Sequence, residues 1–280
     1  MKTEVKLRIP RVACINDLSG YGRCSLTTAI SVLSAAGVQA CPVPTAVLSK
    51  HTGFDSYYFK DLTDSLEPYM NDWKQLEFDG IYSGFLGSAE QIEAVEGFID
   101  FHKKKNSHTS IIIDPVMGDA GRLYATYTPQ MQKEMKRLVK SADILTPNIT
   151  EACFLTDTLY LGEEIYPQKA TELVKRLSEK TQAKIVLTGI VKHDKILNMT
   201  YSDGDIQLSE VLREKNIYSG TGDIFSSVVC AFILKGKPLH KAVDIAGRFI
   251  SEAIEKTAVS NTPLTEGVVF EPVLHKLWNM

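Results

Sequence analysis

Several things are missing from this chain. No apolar run reaches the length needed to span a bilayer. The opening stretch, Met1 to Pro10, is charged and carries no apolar signal core, so no secretory leader is read there and the cytoplasm is the default location. The five cysteines (Cys14, Cys24, Cys41, Cys153, Cys230) are scattered with no CxxC pair. That excludes a disulfide framework and a zinc knuckle, and leaves buried thiols as the simplest reading. Basic clusters are also scarce: 31 Lys and Arg oppose 34 Asp and Glu, for a net charge of −3, and only Lys103-Lys104-Lys105 forms a block. Nucleic-acid binding and membrane association therefore have no support. There is no GxxxxGK[ST] phosphate loop, and no acid follows Gly20 and Gly22 where a dinucleotide ribose needs one.

What remains is an ordinary globular composition, 44% hydrophobic and 23% charged over 280 residues. Neither a linker, a repeat nor a low-complexity segment breaks it, so one domain over 1–280 is the simplest organisation. Segments alternate in type. Arg11 to Ile15 reads as a strand, then a Gly-containing turn, then a helix from Ser25 to Ala36. Gln39 to Leu48 reads as a strand whose Pro42 and Pro44 suit an edge. Helical patterns over 61–76, 88–104, 129–139, 163–180 and 239–256 alternate with short strands at 80–83, 110–113, 143–145 and 184–188. A hairpin over Ile196 to Val211 and a final helix within 262–280 complete the chain. Strands alternating with helices predict an α/β fold, with a mostly parallel sheet and helices on both faces.

The chain centres on Ser219-Gly220-Thr221-Gly222-Asp223, followed by the apolar run Ile224 to Leu234. A helix that is apolar all round is a buried one. Its Gly-rich start, with Thr221 as N-cap, presents amides that lack internal partners and suit an anion. Asp223 beside such a site is a candidate base for a hydroxyl attacking a phosphate. A capped helix after a Gly-rich turn is the alternative for the pentapeptide alone.

Two further acid clusters sit at predicted strand ends, where open parallel sheets gather ligands. Asp114-Pro115-Val116-Met117-Gly118-Asp119 places two acids around a turn, suited to a hydrated divalent cation or simply to a capped turn and a solvated side chain. Thr146-Pro147-Asn148-Ile149-Thr150-Glu151 has capping-box spacing from Asn148 to Glu151, a sufficient structural reason for the glutamate.

Taken together, Gly220-Thr221-Gly222-Asp223, the Asp114 to Asp119 run, Thr146-Pro147-Asn148 with Glu151, and Ser49-Lys50-His51-Thr52-Gly53-Phe54 resemble the ribokinase-like kinases. Their order is similar to the vitamin-kinase branch, which holds pyridoxal kinases and hydroxymethylpyrimidine kinases. The resemblance runs from about Arg11 to the C-terminus. It implies a three-layer ribokinase-like fold without a separate lid, and ATP-dependent phosphorylation of the 5′-hydroxymethyl group of pyridoxal, pyridoxine or pyridoxamine. Asp223 would be the base, and the amides from Gly220 through Thr221 and Gly222 would hold the transferring charge. Asp114, Asp119 and Glu151 would hold Mg²⁺, partly through water, with Thr146 close to a phosphate or cation; a monovalent cation such as K⁺ is a further candidate. Asp114, Thr146, Thr188, Thr221 and Gly222 fall at nucleotide-contacting positions, and the hairpin between Lys184 and Ser219 falls where adenine sits. His51, Thr52 and Phe85 would meet the ring, and Tyr127 would close over it. The branch also implies a homodimer. The turn Asn16-Asp17-Leu18-Ser19-Gly20 departs from the pyridoxal kinase pattern toward the hydroxymethylpyrimidine kinase one, with Asn16, Asp17 and Ser19 as ring-contacting candidates. That leaves the pyrimidine kinase as the alternative enzyme and a silent vitamin-phosphate binder as the alternative outside catalysis.

Overall fold

The computed structural model describes residues 8–162, 164–214 and 218–280. The expectations placed on 1–7, on Glu163 as a helix start and on 215–217 between the hairpin and Ser219 lie outside the described residues.

The first unit is β1 (Arg11–Ser19), α1 (Ser25–Ala35) and β2 (Gln39–Leu48), followed by a short β3 (Phe59–Asp61). Next come α2 (Thr63–Asn71), β4 (Gly80–Ser83), α3 (Ala89–Lys105) and β5 (Ser110–Ile113). A small hairpin follows, β6 (Gly118–Asp119) with β7 (Arg122–Leu123), then α4 (Pro129–Leu138), β8 (Ile144–Leu145), α5 (Ile149–Thr156) and α6 (Pro167–Ser178). The last part is β9 (Lys184–Lys192), β10 (Lys195–Ser202), β11 (Asp205–Leu212), α7 (Thr221–Leu234) and α8 (Leu239–Val259). Among the described residues these build a nine-stranded sheet in the order β11-β10-β9-β8-β5-β4-β1-β2-β3, with β6-β7 apart. The strands from β9 across to β2 run parallel, and antiparallel strands flank them.

Sequence explains most of this. Val12 through Ile15 are fully buried in succession, as a strand covered on both faces must be. Alternate residues then divide between two cores. Ala13 and Ile15 face the layer of α2 to α6, whereas Val12 and Cys14 face α1, α7 and α8. The chain leaves β1 toward β2 on one side and returns as β4 on the other, so the order reverses at β1 and β4. In such sheets the crevice at that reversal, beyond the carboxyl ends, is where ligands bind.

Several boundaries move. β1 runs on to Ser19, so Asn16, Asp17 and Ser19 belong to the strand's end rather than to a turn. β9 runs on to Lys192 because it pairs with β10 as well as β8; Thr188 therefore lies within the strand, beside a break in register at Leu197/Met199. β2 is not the edge, yet the proline argument holds locally: β3 pairs only with Ala46 to Leu48, leaving Pro42 and Pro44 on an open side. The helix predicted over 61–76 is the shorter α2, with Pro68 inside it. The tail forms short 3₁₀ turns, Leu264–Glu266 and Glu271–Asn279, instead of an α-helix. Between β10 and β11 the turn Asp203-Gly204 has positive φ at both positions, the geometry that a two-residue hairpin needs.

The start of α7 fixes the tightest contact. The N-cap is Gly220, not Thr221; it has φ 79° and Thr221 is the first helical residue. A Cβ on Gly220 would lie 1.9 Å from the Arg23 carbonyl oxygen, so backbone meets backbone there. Gly220→Ala is expected to cost at least about 2 kcal/mol, from both the forbidden φ and the collision. Urea unfolding checks this, and an unchanged midpoint would refute the close approach.

Candidate active site

A cavity of about 710 Å³ opens along the carboxyl ends of the parallel strands. Its floor is the first turn of α7. Gly220, Thr221, Gly222 and Asp223 all line it, so unpaired helix amides face the space as the motif predicts.

Asp223 is held by both oxygens. Its Oδ2 accepts from the Ser25 amide at 2.8 Å, and its Oδ1 from Asn16 Nδ2 at 3.3 Å. Ser25 opens α1 with φ 53°, a conformation that non-glycine residues seldom adopt. That strain turns the Ser25 amide toward Asp223. Desolvation pushes the Asp223 carboxyl up to about 7; the Asp114 and Asp17 charges add to this, while the Ser25 and Asn16 hydrogen bonds oppose it. A carboxylate near neutrality is suited to accept a proton from an alcohol and release it again.

Asp114 stands across the floor at the end of β5. Burial lifts its carboxyl to about 6. Ser226, one turn along α7, donates to Asp114 Oδ2 at 2.9 Å, and Thr146 Oγ1 lies 3.0 Å from Ser226 Oγ. Since the Ser226 proton goes to Asp114, Thr146 is the donor in that second bond. Thr146 lines the cavity, and its hydroxyl proton is committed to Ser226.

Glu151 has the structural role that its spacing predicts. Its Oε2 accepts from the Asn148 amide at 2.9 Å while Asn148 Oδ1 accepts from the Glu151 amide, a full capping box. Its Oε1 accepts from the Met117 amide at 3.0 Å. This bond anchors a turn in which Val116 takes φ 36°, an outlier for a β-branched residue. Burial first, and the neighbouring Asp114 second, raise the Glu151 carboxyl well above its usual range. Asp119 is exposed at the tip of the β6-β7 hairpin and lines the cavity. That hairpin is tied down by Asn148 Nδ2 to the Gly118 carbonyl and by the Gly121 amide to Thr150 Oγ1, both 2.9 Å. Among the described residues no three His, Cys, Asp or Glu side chains converge closely enough to form a metal cage by themselves.

The far end of the cavity is a slot between the β9-β10-β11 ribbon and α8. Val191, Ile196, Val211, Leu212, Ile250 and Ile254 line it. Gly247 lies at the same place, and a Cβ there would press on Val211 at 3.2 Å. Thr188 lines the passage between slot and floor, its hydroxyl 3.4 Å from the Pro147 carbonyl.

The opposite end holds Asp17, His51, Thr52, Phe85 and Tyr57. His51 is buried, and its nitrogens are committed: Nδ1 accepts from the Gly53 amide at 3.1 Å, which leaves Nε2–H to donate to the Thr265 carbonyl at 2.5 Å. Only its ring surface is free for a ligand. Burial raises the Asp17 carboxyl, and Ser19 Oγ donates to its Oδ2 at 2.7 Å.

Two predicted positions need correction. Ser19 is fully buried and does not line the cavity; it acts on Asp17. Tyr127 packs into the core between the sheet and α2 to α6, because the chain turns back at the Tyr124 carbonyl to start α4. Tyr124, Ala125 and Thr126 line the cavity in its place. Sequence reasoning missed Ser25, Ser226 and the α8 residues Gly247, Ile250 and Ile254. Only the last set left a trace, as apolar positions on a helix otherwise read as packing.

The phosphomethylpyrimidine kinase family model matches residues 25–267, and the chain belongs to that family. Within it, relatives carry more particular names. The pyridoxine/pyridoxal/pyridoxamine kinase of Bordetella avium is 28% identical over 86% of this chain and 83% of its own. A Bacteroides thetaiotaomicron protein assigned as a phosphomethylpyrimidine kinase, crystallised with pyridoxal, superposes with a TM-score of 0.91 at 38% identity, over 98% of this chain and 96% of that one. Pyridoxal kinase from Lactobacillus plantarum gives a TM-score of 0.89 at 26% identity, over 97% and 98%. The fold is accordingly the ribokinase-like one of the pyridoxal kinases, and no separate lid is present among the described residues. No described helix is long and apolar enough to cross a membrane.

Glu151→Gln should lower stability by about 1–3 kcal/mol, because one of the two amides it serves would face a donor. Thermal melting together with amide exchange at Met117 checks this. An unchanged melting temperature would show that Glu151 is not the strut described.

Proposed function

We propose that this protein is a single-domain, ATP-dependent kinase that phosphorylates the 5′-hydroxymethyl group of pyridoxal, pyridoxine or pyridoxamine. The observation that carries this reading is Asp223. It is a half-buried carboxylate poised near neutrality at the floor of a cavity, beside the free amides of α7.

The cavity divides into three parts that match the three needs of the reaction. The apolar slot along Val211, Leu212 and Ile250 receives the adenine ring, with Gly247 leaving space for its flat face. Thr188 lies along the path of the phosphates. The ring end, between Phe85, Thr52 and the face of His51, receives the pyridine. Asp17 supplies a negative group for a ring or amine proton. The substrate hydroxyl then points at Asp223. As its oxygen attacks the γ-phosphorus, the bond from phosphorus to the β–γ bridging oxygen breaks and ADP leaves. The hydroxyl proton passes to Asp223. The amides from Gly220 to Asp223 face the charge on the moving phosphoryl group, where fixed dipoles cost no reorganisation. Such catalysis is mainly positioning, and a placed base adds about 10²–10⁴-fold.

The acids fit a divalent cation in kind. All are oxygen ligands, and Asp114 and Glu151 are buried carboxyls, the Asp114 charge adding to the burial that disfavours ionised Glu151. Mg²⁺ takes one or two carboxylates together with waters and phosphates, not a full protein cage. Asp114 and Asp119 would hold it, with Glu151 acting through water; the ion would neutralise phosphate charge. We carry a monovalent cation such as K⁺ as a further candidate cofactor by the same resemblance. A homodimer in the cytoplasm is the assembly and location we assign by analogy with the branch.

Hydroxymethylpyrimidine is the second acceptor to consider, because the family is described as a pyrimidine kinase and the Asn16 to Gly20 segment resembles the hydroxymethylpyrimidine kinase pattern. Both acceptors present a primary hydroxymethyl group, so the same machinery serves either. A coupled ADP-release assay with Mg-ATP separates them when pyridoxal, pyridoxamine, pyridoxine and hydroxymethylpyrimidine are offered in parallel. The pyridines are expected to turn over ahead of the pyrimidine. Turnover of the pyrimidine alone would move the protein to thiamin synthesis, and binding of pyridoxal without ADP release would make it a silent binder.

A further inference from the structure

Asn16 stands where a ring-contacting side chain was expected, but its amide is engaged elsewhere. It is 2% exposed at the end of β1. Its Oδ1 accepts from two backbone amides, those of Asp17 and Phe85, each at 2.9 Å. Two N–H groups aimed at one atom fix it as the oxygen. The nitrogen then has to face Asp223, to which it donates at 3.3 Å. A Cβ on Gly84 would lie 2.4 Å from Asn16 Nδ2, so this glycine exists to admit the amide.

The segment that Asn16 grips is itself held firmly. Thr45 Oγ1 donates to the Phe85 carbonyl at 2.9 Å. Gln91 Oε1 accepts from the Gly87 amide at 2.8 Å, and Gln91 Nε2 donates to the Thr45 carbonyl at 2.8 Å. At the start of α3 the capping box is only half formed: Ser88 Oγ accepts from the Gln91 amide, while the Gln91 side chain reaches past Ser88 to Gly87. One rigid strip therefore runs from the ring end of the cavity, through Phe85 and Asn16, to the carboxyl of Asp223.

We infer that Asn16 is a positioning residue that ties the ring-side Phe85 segment to Asp223, and not a ligand of the ring. This rests on the reading of Asp223 as the base. A single planar amide sets the distance between the ring wall and the proton acceptor, and its N–H favours the ionised form of that acceptor. Other groups also face Asp223: Asp114 beyond β5, Asp17 on β1, Tyr82 on β4, Cys24 at the cap of α1 and Tyr124 after β7. All are unchanged when only Asn16 is altered, so the comparison isolates its contribution.

The test is Asn16→Asp beside Asn16→Ala, read by the ¹³C titration of the Asp223 carboxyl and by kcat and KM for pyridoxal across pH. Asn16→Asp keeps an acceptor for the Phe85 and Asp17 amides but replaces the donor with a second carboxylate. The Asp223 midpoint is expected to rise by about one unit or more. Because the ionised form is the active one, the acid limb of kcat moves to higher pH, while KM stays within about threefold. Asn16→Ala adds no charge, so the midpoint rises less; KM rises instead, because the Phe85 amide loses its acceptor. An unmoved midpoint in both variants, with KM alone raised, would overturn the inference and return Asn16 to the ring. If the wild type turned over no vitamer while the midpoint still moved, the acceptor proposed above would fail and the positioning of Asp223 would stand.

Discussion

The site depends on one close approach, where the Gly220 backbone meets the Arg23 carbonyl. It brings the N-terminal turns of two helices, α1 and α7, to the same point. Both belong to the layer on one face of the sheet, and the first turn of α7 lines the crevice. Asp223, from α7, takes the Ser25 amide, from α1. The C-terminal segment braces this junction from outside. The Arg23 amide donates to the Glu266 carbonyl, the Ser219 amide to that of Leu264, and His51 to that of Thr265. The two ends of the chain are thus locked together largely through backbone groups, Arg23 to Glu266 among them, which leave little room for side-chain substitution to loosen them.

The electrostatics follow from this packing. Asp17, Asp114, Glu151 and Asp223 are all buried enough for desolvation to raise them. Gathering them costs stability, and raised carboxyls lose stabilisation as pH rises from the unfolded value through the folded one. That sign is opposite to the usual salt-bridged carboxylate. It is the sign expected of groups retained for chemistry, since a cation and a phosphate chain would offset the cost when they bind. Backbone strain collects in the same place. Ser25 and Val116 both take positive φ; the Ser25 amide itself, and the Met117 amide that follows Val116, each meet a carboxylate of the site.

Much of the fold was legible in sequence because its signals are local and strong. The continuous apolar strands, the all-apolar α7 and the Gly-rich start of that helix need no partner to be recognised. The acids at Asp114, Glu151 and Asp223 were found for the same reason, by their place after a strand or at a helix start. What was not legible depends on pairing across the chain. β9 is long only because β10 completes it, and Asn16 looks like a ring ligand until the Phe85 amide and Asp223 arrive from elsewhere. Tyr127 and Tyr124 lie three residues apart in one loop, and only the turn into α4 decides which faces the cavity. Ser226 gave no sign at all, since a serine inside a buried helix reads as packing until Asp114 is placed beside it.

The account's central claim is that Asp223 accepts the hydroxyl proton while the α7 amides hold the phosphoryl group. The most direct measurement is single-turnover phosphorylation of pyridoxal by Asp223→Asn with Mg-ATP, alongside ATP affinity. The account predicts a rate at least about 10²-fold lower with ATP binding within about threefold of wild type. A loss of only two- or threefold, about what a small shift in position would cause, would contradict it and remove Asp223 from the role of base.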